Sequence, residues 1–223
     1  MVRWLALFLV LAASFGPCQA GAGELPDIPL DSRSPVSIRL SNQADLPPET
    51  LRAVIKIAGK ILREAGVEGV WWDLAPATEK VACGDSVFEA NFCVIVQSGE
   101  IEVTAPIASN GLGFVLNRPH EGVGRTAWIL YSRVKEFSRQ NRVHPNRLLG
   151  HVLAHELGHL LLGSPEHSER GLMRGAWQGK DLHLAEQGAL YFTSSEAKAI
   201  RTAFKRRALE NPSWLALVDL VPR

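Results

Sequence analysis

The chain has 223 residues, 46% of them hydrophobic, which suffices for one domain with a proper core or at most two small domains. Its 24 basic and 23 acidic residues give a formal net charge of +1, so the polybasic character of nucleic-acid-binding proteins is absent. We therefore expect no nucleic-acid partner.

The N-terminal segment has the three-part pattern of a secretory signal peptide. Arg3 precedes an apolar run that ends near Phe15, and small residues follow up to a cleavage-like position at Ala20. The run is too short to span a bilayer comfortably, although an uncleaved anchor is the alternative interpretation. We predict that residues 1–20 are a signal peptide.

The remaining chain is predicted to contain a short lead-in and one domain. Residues 21–34 are rich in Gly, Pro and Asp, which predicts a flexible lead-in. Residues 35–223 are predicted to form a single domain, because their length and apolar content suit one core. No later apolar run in them reaches membrane-spanning length. We therefore expect a secreted or periplasmic protein without stable membrane insertion after signal cleavage.

Apolar periodicity in this domain predicts strands first and helices last, with one helix between them. Alternating, β-branched runs predict five strands, at Pro35–Asn42, 67–74, 92–97, Gly111–Arg118 and Thr126–Val134. Apolar residues at three- and four-residue steps predict three helices, from Pro47 to near Gly66, from Asn146 to Leu162, and from Ser194 to Glu210 with Ser194 or Ser195 as the cap. This order indicates an α/β (α+β) fold, a mixed twisted sheet backed by helices.

Cys83 and Cys93 are the two cysteines that remain after the signal peptide, which contains Cys18. An exported chain meets an oxidising compartment, where two remaining cysteines most often pair. We predict a Cys83–Cys93 disulfide bond that pins a short local turn. Two free, buried thiols are the alternative.

Four of the seven histidines lie between positions 151 and 167, in and just after a predicted helix. Residues four apart lie on one helix face, so His155 and His159 can share an ion, and zinc suits neutral imidazole. Glu156 is turned about 100° around the helix, where it is well placed to take a proton from a zinc-bound water. This H-E-x-x-H arrangement is typical of metal-assisted hydrolysis with Glu as general base.

The flanking sequence favours the metal interpretation. The segments LLGHVLA and LGHLLLG are apolar, so the helix is predicted to be largely buried. Buried histidines and a buried glutamate need a polar partner, and a metal ion supplies one. A pair of hydrogen-bonded core histidines is the alternative.

A third ligand is expected, because a catalytic zinc usually has three protein ligands and one open position. Gly163 ends the predicted helix, and His167 follows where it would bring a third imidazole back to the ion. Glu186 is a rival, since other zincins use a glutamate from a following helix, and Glu166 and Glu169 also lie nearby.

The other histidines are predicted to have lesser roles. His151 lies one turn before His155, where it would support the site or be partly exposed. Three more have no partner at a useful spacing and are predicted to be surface residues: His120, His144 and His183.

The cluster resembles the metzincin clan of zinc peptidases, whose pattern is H-E-x-x-H-x-x-G-x-x-H followed by a turn with a Met beneath the metal. The matching residues are His155, Glu156, His159, His167 and Met173. Gly163 comes one residue later than in that pattern and His167 two residues later, so the junction of helix and loop differs. Residues 35–210 are also similar to secreted bacterial proteins with an HExxH-x7-H and Met-turn motif.

The resemblance implies a metzincin-like zincin fold with an active-site helix, and metalloendopeptidase activity on a peptide or protein substrate. It also implies a role for each matching residue: His155, His159 and His167 as Zn ligands, Glu156 as the catalytic base, and Met173 as the structural Met-turn. The alternatives are a non-catalytic zinc-binding secreted protein and a zinc hydrolase of non-peptide amides.

The same resemblance implies how a substrate would bind. The GLGFVL strand before the helix would pair with an extended peptide by β-addition, although an ordinary sheet strand is an equal alternative. Arg174 or Trp177 would shape a side-chain pocket, although Trp177 is equally consistent with a plain core residue. Tyr191 is a candidate oxyanion donor. The lead-in contains no cysteine that could bind the zinc and block the site, so we expect no latency through a thiol.

Overall fold

A computed structural model of the chain describes residues 34–72, 91–99, 111–118 and 122–210. The predicted signal peptide, Cys83 and His120 lie outside the described residues, so the predictions about them stay predictions. None of the helices in the described ranges combines the length and the apolar character needed to cross a membrane.

Within the described ranges, five strands form one mixed sheet with the order β2-β1-β3-β5-β4. Their bounds are β1 Ser34–Gln43, β2 Val67–Trp72, β3 Phe92–Gln97, β4 Gly113–Arg118 and β5 Gly122–Leu130. β1 pairs in parallel with β2 and β3, and β3 pairs in parallel with β5. β4 is antiparallel to β5 and forms an edge of this sheet. The predicted mixed α/β fold is thereby confirmed.

In the described part of the chain, five helices accompany the sheet, and their bounds are α1 Pro48–Glu64, α2 Tyr131–Asn141, α3 Pro145–Leu162, α4 Gly179–Glu186 and α5 Ser194–Glu210. α1 connects the parallel strands β1 and β2, and its buried face includes Leu51, Val54 and Leu62. The helices predicted at the positions of α1, α3 and α5 are confirmed, because each has a strong apolar period or clear end signals.

The prediction of a strand over Thr126–Val134 is wrong at its C-terminal end. β5 stops at Leu130 and α2 starts directly at Tyr131. Val134 and Ser138, one helical turn apart, are both buried on the inner face of α2, and the Ser138 hydroxyl donates a hydrogen bond to the Val143 carbonyl at 2.6 Å. Burial of this helical stripe outweighs the strand-like composition of the segment.

Two further details at helix ends differ from the sequence prediction. The short helix α4 was not predicted; it is opened by reciprocal hydrogen bonds between Gln178 and Asp181. The cap of α5 is Thr193, not Ser194 or Ser195. The Thr193 hydroxyl accepts from the Glu196 N–H at 3.3 Å, and the Glu196 carboxylate accepts from the Thr193 N–H at 2.7 Å. This reciprocal pair is a capping box, shifted by one residue from the predicted start.

Helix α3 lies at the centre of the domain. It packs against α1, α2, α5 and the strands β4 and β5, and every side chain from Leu148 to Leu161 is buried. Gly150 allows the close approach of α1, because a Cβ atom there would lie 2.7 Å from the Ile57 side chain. The polar side chains of α3 are therefore held in fixed surroundings.

Candidate metal centre

His155 and His159 face each other across one turn of α3. Their Nε2 atoms are 3.1 Å apart, and their rings are nearly perpendicular with centroids separated by 4.8 Å. Each Nδ1 atom lies against a backbone carbonyl: Leu172 O at 2.7 Å for His155, and Ser164 O at 2.9 Å for His159. Because a carbonyl can only accept, each Nδ1 carries a proton and donates. Both Nε2 atoms are therefore left with a lone pair.

His167 completes the group from the loop after α3. Its ring centroid lies 5.3 Å from that of His155 and 4.8 Å from that of His159. One ring nitrogen from each of the three histidines can be chosen so that all lie within 4.8 Å of one another. The structure thus brings together the three residues predicted as a ligand set.

The chain returns His167 to the helix through a defined loop. Gly163 ends α3 with a left-handed backbone, at a φ of 67°, which glycine adopts without steric cost. Further along, the Ser168 N–H donates to the Met173 carbonyl at 2.8 Å. Gly175 leaves room for the imidazole, since a Cβ atom there would lie 3.0 Å from the His167 ring. This loop accommodates the longer spacing after His159.

The two buried imidazoles are better suited to binding a metal ion than to forming a hydrogen bond with each other. Burial, followed by the charge of neighbouring His159, lowers the pKa of His155 to about 3, and burial lowers the pKa of His159 to about 4. Both rings are then neutral near pH 7, so no proton lies between the facing Nε2 atoms. Two nitrogens bound to one tetrahedral zinc at about 2.0–2.1 Å are about 3.3 Å apart, close to the separation seen here. The donor set therefore fits zinc.

Glu156 lies beside this group and projects toward the edge strand β4. This residue is only 4% exposed, and its Oε2 atom has no hydrogen-bond partner among the described residues. Burial raises the pKa of this carboxyl to about 8. A buried carboxyl oxygen without a hydrogen-bond donor is costly, and the same environment makes the carboxyl a strong proton acceptor once it is ionised.

Met173 packs beneath the helix turn that carries the histidines. It is 1% exposed, and its sulfur lies so close to Gly158 that a Cβ atom there would collide with it. The ring of Phe192 would also lie 2.8 Å from such a Cβ atom. Gly158 therefore leaves the space that the Met173 side chain occupies below this turn of the helix.

The rival ligands lie elsewhere. The Glu186 carboxylate accepts a hydrogen bond from the His144 backbone N–H at 2.6 Å and lies 4.0 Å from Arg147. Glu166 and Glu169 are exposed. Within the described ranges, the side chains that could hold an ion together are the three histidines.

The remaining described histidines make local contacts. His151 is fully buried, and its Nδ1 donates to the Arg147 carbonyl at 2.7 Å. His144 is exposed and caps α3 by accepting from the Asn146 N–H at 3.2 Å. His183 is exposed, with its Nε2 3.0 Å from the Gln187 amide nitrogen. The surface assignment of His144 and His183 agrees with the sequence analysis.

A cavity of about 300 Å³ opens beside the histidines and Glu156. Its walls come from β4, α2, α3 and the loop that follows Met173, and its lining includes Leu112, Val115, Phe137, Val152, Arg174 and Trp177. The walls are mainly apolar. Arg174 donates to the Asp181 carboxylate at 2.9 Å, so this cation is anchored at the cavity wall. Tyr191, the candidate oxyanion donor, is not among the lining residues, and its ring lies under the Lys60 ammonium.

Two residues of the site gave no signal in the sequence. Gly113 adjoins the Glu156 carboxylate, and Leu172 supplies the carbonyl that accepts from His155. A glycine at the start of a strand and a leucine in a loop have many ordinary explanations. The contacts that give these residues a role join positions far apart in the chain, so local patterns do not reveal them.

The sequence matches no model of a protein family and no curated protein. The fold is similar to that in the crystal structure of archaemetzincin from Methanopyrus kandleri, with a TM-score of 0.49 and 18% sequence identity. The similarity covers 80% of this chain and 99% of that chain. The role of the site therefore rests on the geometry of its own residues.

Proposed function

We propose that the protein is an exported zinc-dependent peptidase. The observation that carries this proposal is the pair of Nε2 lone pairs of His155 and His159, which face each other at 3.1 Å with His167 alongside. Glu156 lines the same cavity as these imidazoles. Three neutral imidazoles with an adjacent buried carboxyl group are the groups that metal-assisted hydrolysis of a peptide bond needs.

Each residue would have a distinct role in the reaction. When bound, zinc would supply Lewis acidity, which polarises the scissile carbonyl and makes water easier to deprotonate. His155, His159 and His167 would hold the ion. Glu156 would accept the proton of the attacking water at its carboxylate and then pass that proton to the leaving amine.

The edge strand supports a peptide as the substrate. β4 pairs on one side with β5, and its first residues line the cavity beside Glu156. An edge strand offers backbone N–H and C=O groups that an extended peptide can pair with. A peptide added to β4 would pass the histidines with its carbonyl groups close to Glu156.

Export is proposed from the N-terminal sequence alone. Arg3, the apolar run and the small residues before Ala20 form the signal-peptide pattern, and signal cleavage would release the domain into an extracytoplasmic space. N-terminal sequencing of the protein recovered from the expressing cells, together with its fractionation, tests this: a start at Met1 in the cytoplasmic fraction would contradict it.

A peptide-cleavage assay with direct metal analysis tests the peptidase proposal. The purified mature protein, loaded with zinc, is incubated with a mixed peptide library, and new termini are read by mass spectrometry before and after chelation. We expect cleavage that stops on chelation and returns when zinc is added back. Zinc binding without cleavage would favour a non-catalytic zinc protein, and cleavage of simple amides without peptides would favour the non-peptide hydrolase.

A further inference from the structure

Trp177 lies in the loop between Met173 and α4, where it forms part of the cavity wall. Its indole Nε1–H donates a hydrogen bond to the Leu172 carbonyl at 3.0 Å. The same carbonyl accepts from the Nδ1–H of His155 at 2.7 Å. A carbonyl oxygen has two lone pairs and can accept both donors. One oxygen atom therefore connects the tryptophan to the first imidazole of the metal site.

The Trp177 ring also contacts the imidazole directly. Its plane is nearly perpendicular to the His155 ring, at 86°, with centroids 5.7 Å apart. It is perpendicular to the His151 ring as well, at a centroid distance of 6.5 Å. Because His151 is itself fixed by its bond to the Arg147 carbonyl, the indole is bordered by a rigid neighbour one helical turn before His155.

These contacts limit the freedom of His155 in two ways. The ring torsion of a histidine has a broad energy minimum, so its orientation is set by packing and by the bond at its second nitrogen. The indole ring, packed perpendicular to the imidazole, restricts its rotation, and the indole N–H fixes the oxygen to which Nδ1 donates. The Leu172 N–H donates to the Tyr191 carbonyl at 2.9 Å. Hydrogen bonds therefore hold both the N–H and the carbonyl of Leu172 in place.

We propose that Trp177 is a positioning residue that orients His155 through the shared Leu172 carbonyl. This inference rests on the proposed metal site. Groups that hold a metal-bound histidine in place commonly change metal affinity or activity by about 10–100-fold when they are altered. Trp177 would thus contribute to zinc affinity without touching the ion, in addition to its place in the cavity wall.

The Trp177→Phe variant tests the proposal, because it keeps an aromatic ring and removes the N–H donor. We expect its zinc affinity, measured by competition with a chromophoric chelator, to fall by about tenfold. The visible spectrum of the cobalt-substituted protein should also change, since that spectrum reports the geometry of the ligand field. Trp71→Phe is the matched control: Trp71 lies in β2 at the opposite edge of the sheet, and its replacement should change neither quantity.

A second measurement on the unaltered protein covers the case in which Trp177→Phe does not fold. In a sample labelled with ¹⁵N at its indole nitrogens, zinc titration should shift the Trp177 N–H signal at the stoichiometry at which the metal binds, and leave that of Trp71 unchanged. An unmoved Trp177 signal, or a folded Trp177→Phe protein with wild-type zinc affinity and cobalt spectrum, overturns the proposal. A wild-type protein that binds no zinc overturns the metal site, and this inference with it, so the two failures are distinguishable.

Discussion

Gly113 and Glu156 lie in direct contact, although they belong to the edge strand and to the central helix. A Cβ atom at position 113 would be 2.6 Å from the Glu156 Oε1 atom and 2.7 Å from the Trp128 backbone oxygen. Neither neighbour can move away freely, because the carboxyl is buried and the oxygen belongs to the paired strand β5. The Glu156 carboxyl group can therefore occupy its observed position only because residue 113 has no side chain.

The substitution Gly113→Ala should consequently damage both the fold and the site. Forcing an extra methyl group into a packed region typically costs about 1–3 kcal/mol, so the free energy of unfolding should fall by that order. Peptide cleavage should fall as well, since the methyl group displaces the carboxylate. Chemical denaturation and cleavage rates measure the two effects.

Gly124→Ala is the matched control for Gly113→Ala. Gly124 lies in the neighbouring strand β5, where an added Cβ atom would make only an ordinary contact with the Leu116 oxygen at 3.5 Å. Its unfolding free energy and cleavage rate should stay close to those of the wild type. Equal effects of the two substitutions would show that the contact with Glu156 is not what matters at position 113.

A second steric prediction concerns the helix turn above Met173. Gly158→Ala should destabilise the protein by about 1–3 kcal/mol, because its methyl group would collide with the Met173 sulfur and the Phe192 ring. Gly59→Ala provides the contrast within another helix. There the nearest atom is the end of the flexible Arg63 side chain at 3.4 Å, so the higher helix propensity of alanine should leave stability unchanged or raise it by about 0.5–1 kcal/mol. Thermal unfolding of both variants measures these two changes in stability.

The proposed metal site gives a direct binding prediction. The protein should hold close to one zinc ion per chain, and His159→Ala should abolish tight binding, because it removes one of the two imidazoles whose Nε2 atoms are 3.1 Å apart. His183→Ala, at an exposed histidine outside the cluster, should bind zinc as the wild type does. Elemental analysis of protein purified without added metal makes the comparison. A folded wild-type protein that contains no zinc and takes up none would contradict the site.

Much of the site follows from local patterns in the sequence. The four-residue step places His155 and His159 together because helix geometry is regular, and the same geometry turns Glu156 toward another face. The boundary between β5 and α2 was misassigned because Tyr131–Val134 has a strand-like composition, and only the burial of Val134 in a packed helix reveals its state. Tertiary burial decides such segments, and a single sequence does not show it.

The contacts that surround the candidate ligands depend on the fold as a whole. Glu156 meets Gly113 across a long stretch of sequence, and His155 meets the Leu172 carbonyl through the loop that carries Met173. Neither contact has a periodic signature. The position of His167 can be predicted only in part. Its distance from the helix end is visible in the sequence, but its return to the helix requires the left-handed turn at Gly163.

The disulfide bond between Cys83 and Cys93 remains a prediction of the exported state. Cys93 lies in β3, and Cys83 is outside the described residues. Mass spectrometry of a proteolytic digest prepared without reductant should find the two cysteine peptides joined, and reduction should separate them. Two alkylated, free thiols in freshly exported protein would show that the bond does not form.

The proposed general-base role of Glu156 leads to the sharpest prediction. Glu156→Gln should abolish peptide cleavage while leaving zinc bound and the fold intact. The carboxylate is turned away from the common face of His155 and His159, so it is not required as a ligand. Glutamine has nearly the same shape and can hydrogen-bond a water molecule, but it cannot accept a proton. General-base assistance is typically worth about 10²–10⁴ in rate, and we expect a loss of at least that order.

Three measurements on Glu156→Gln separate the explanations for any loss of activity: cleavage rate, zinc content and unfolding temperature. Loss of zinc together with activity would mean that Glu156 is a ligand. Full activity would place the base elsewhere, and the parallel variant Glu166→Gln then tests the exposed glutamate of the loop after α3. Oε2 of Glu156 is buried and makes no hydrogen bond with the described residues. Its replacement by the Gln amide therefore removes no hydrogen bond there, and the unfolding temperature should not fall for that reason. Inactivity with zinc bound and stability retained is the result that identifies Glu156 as the base.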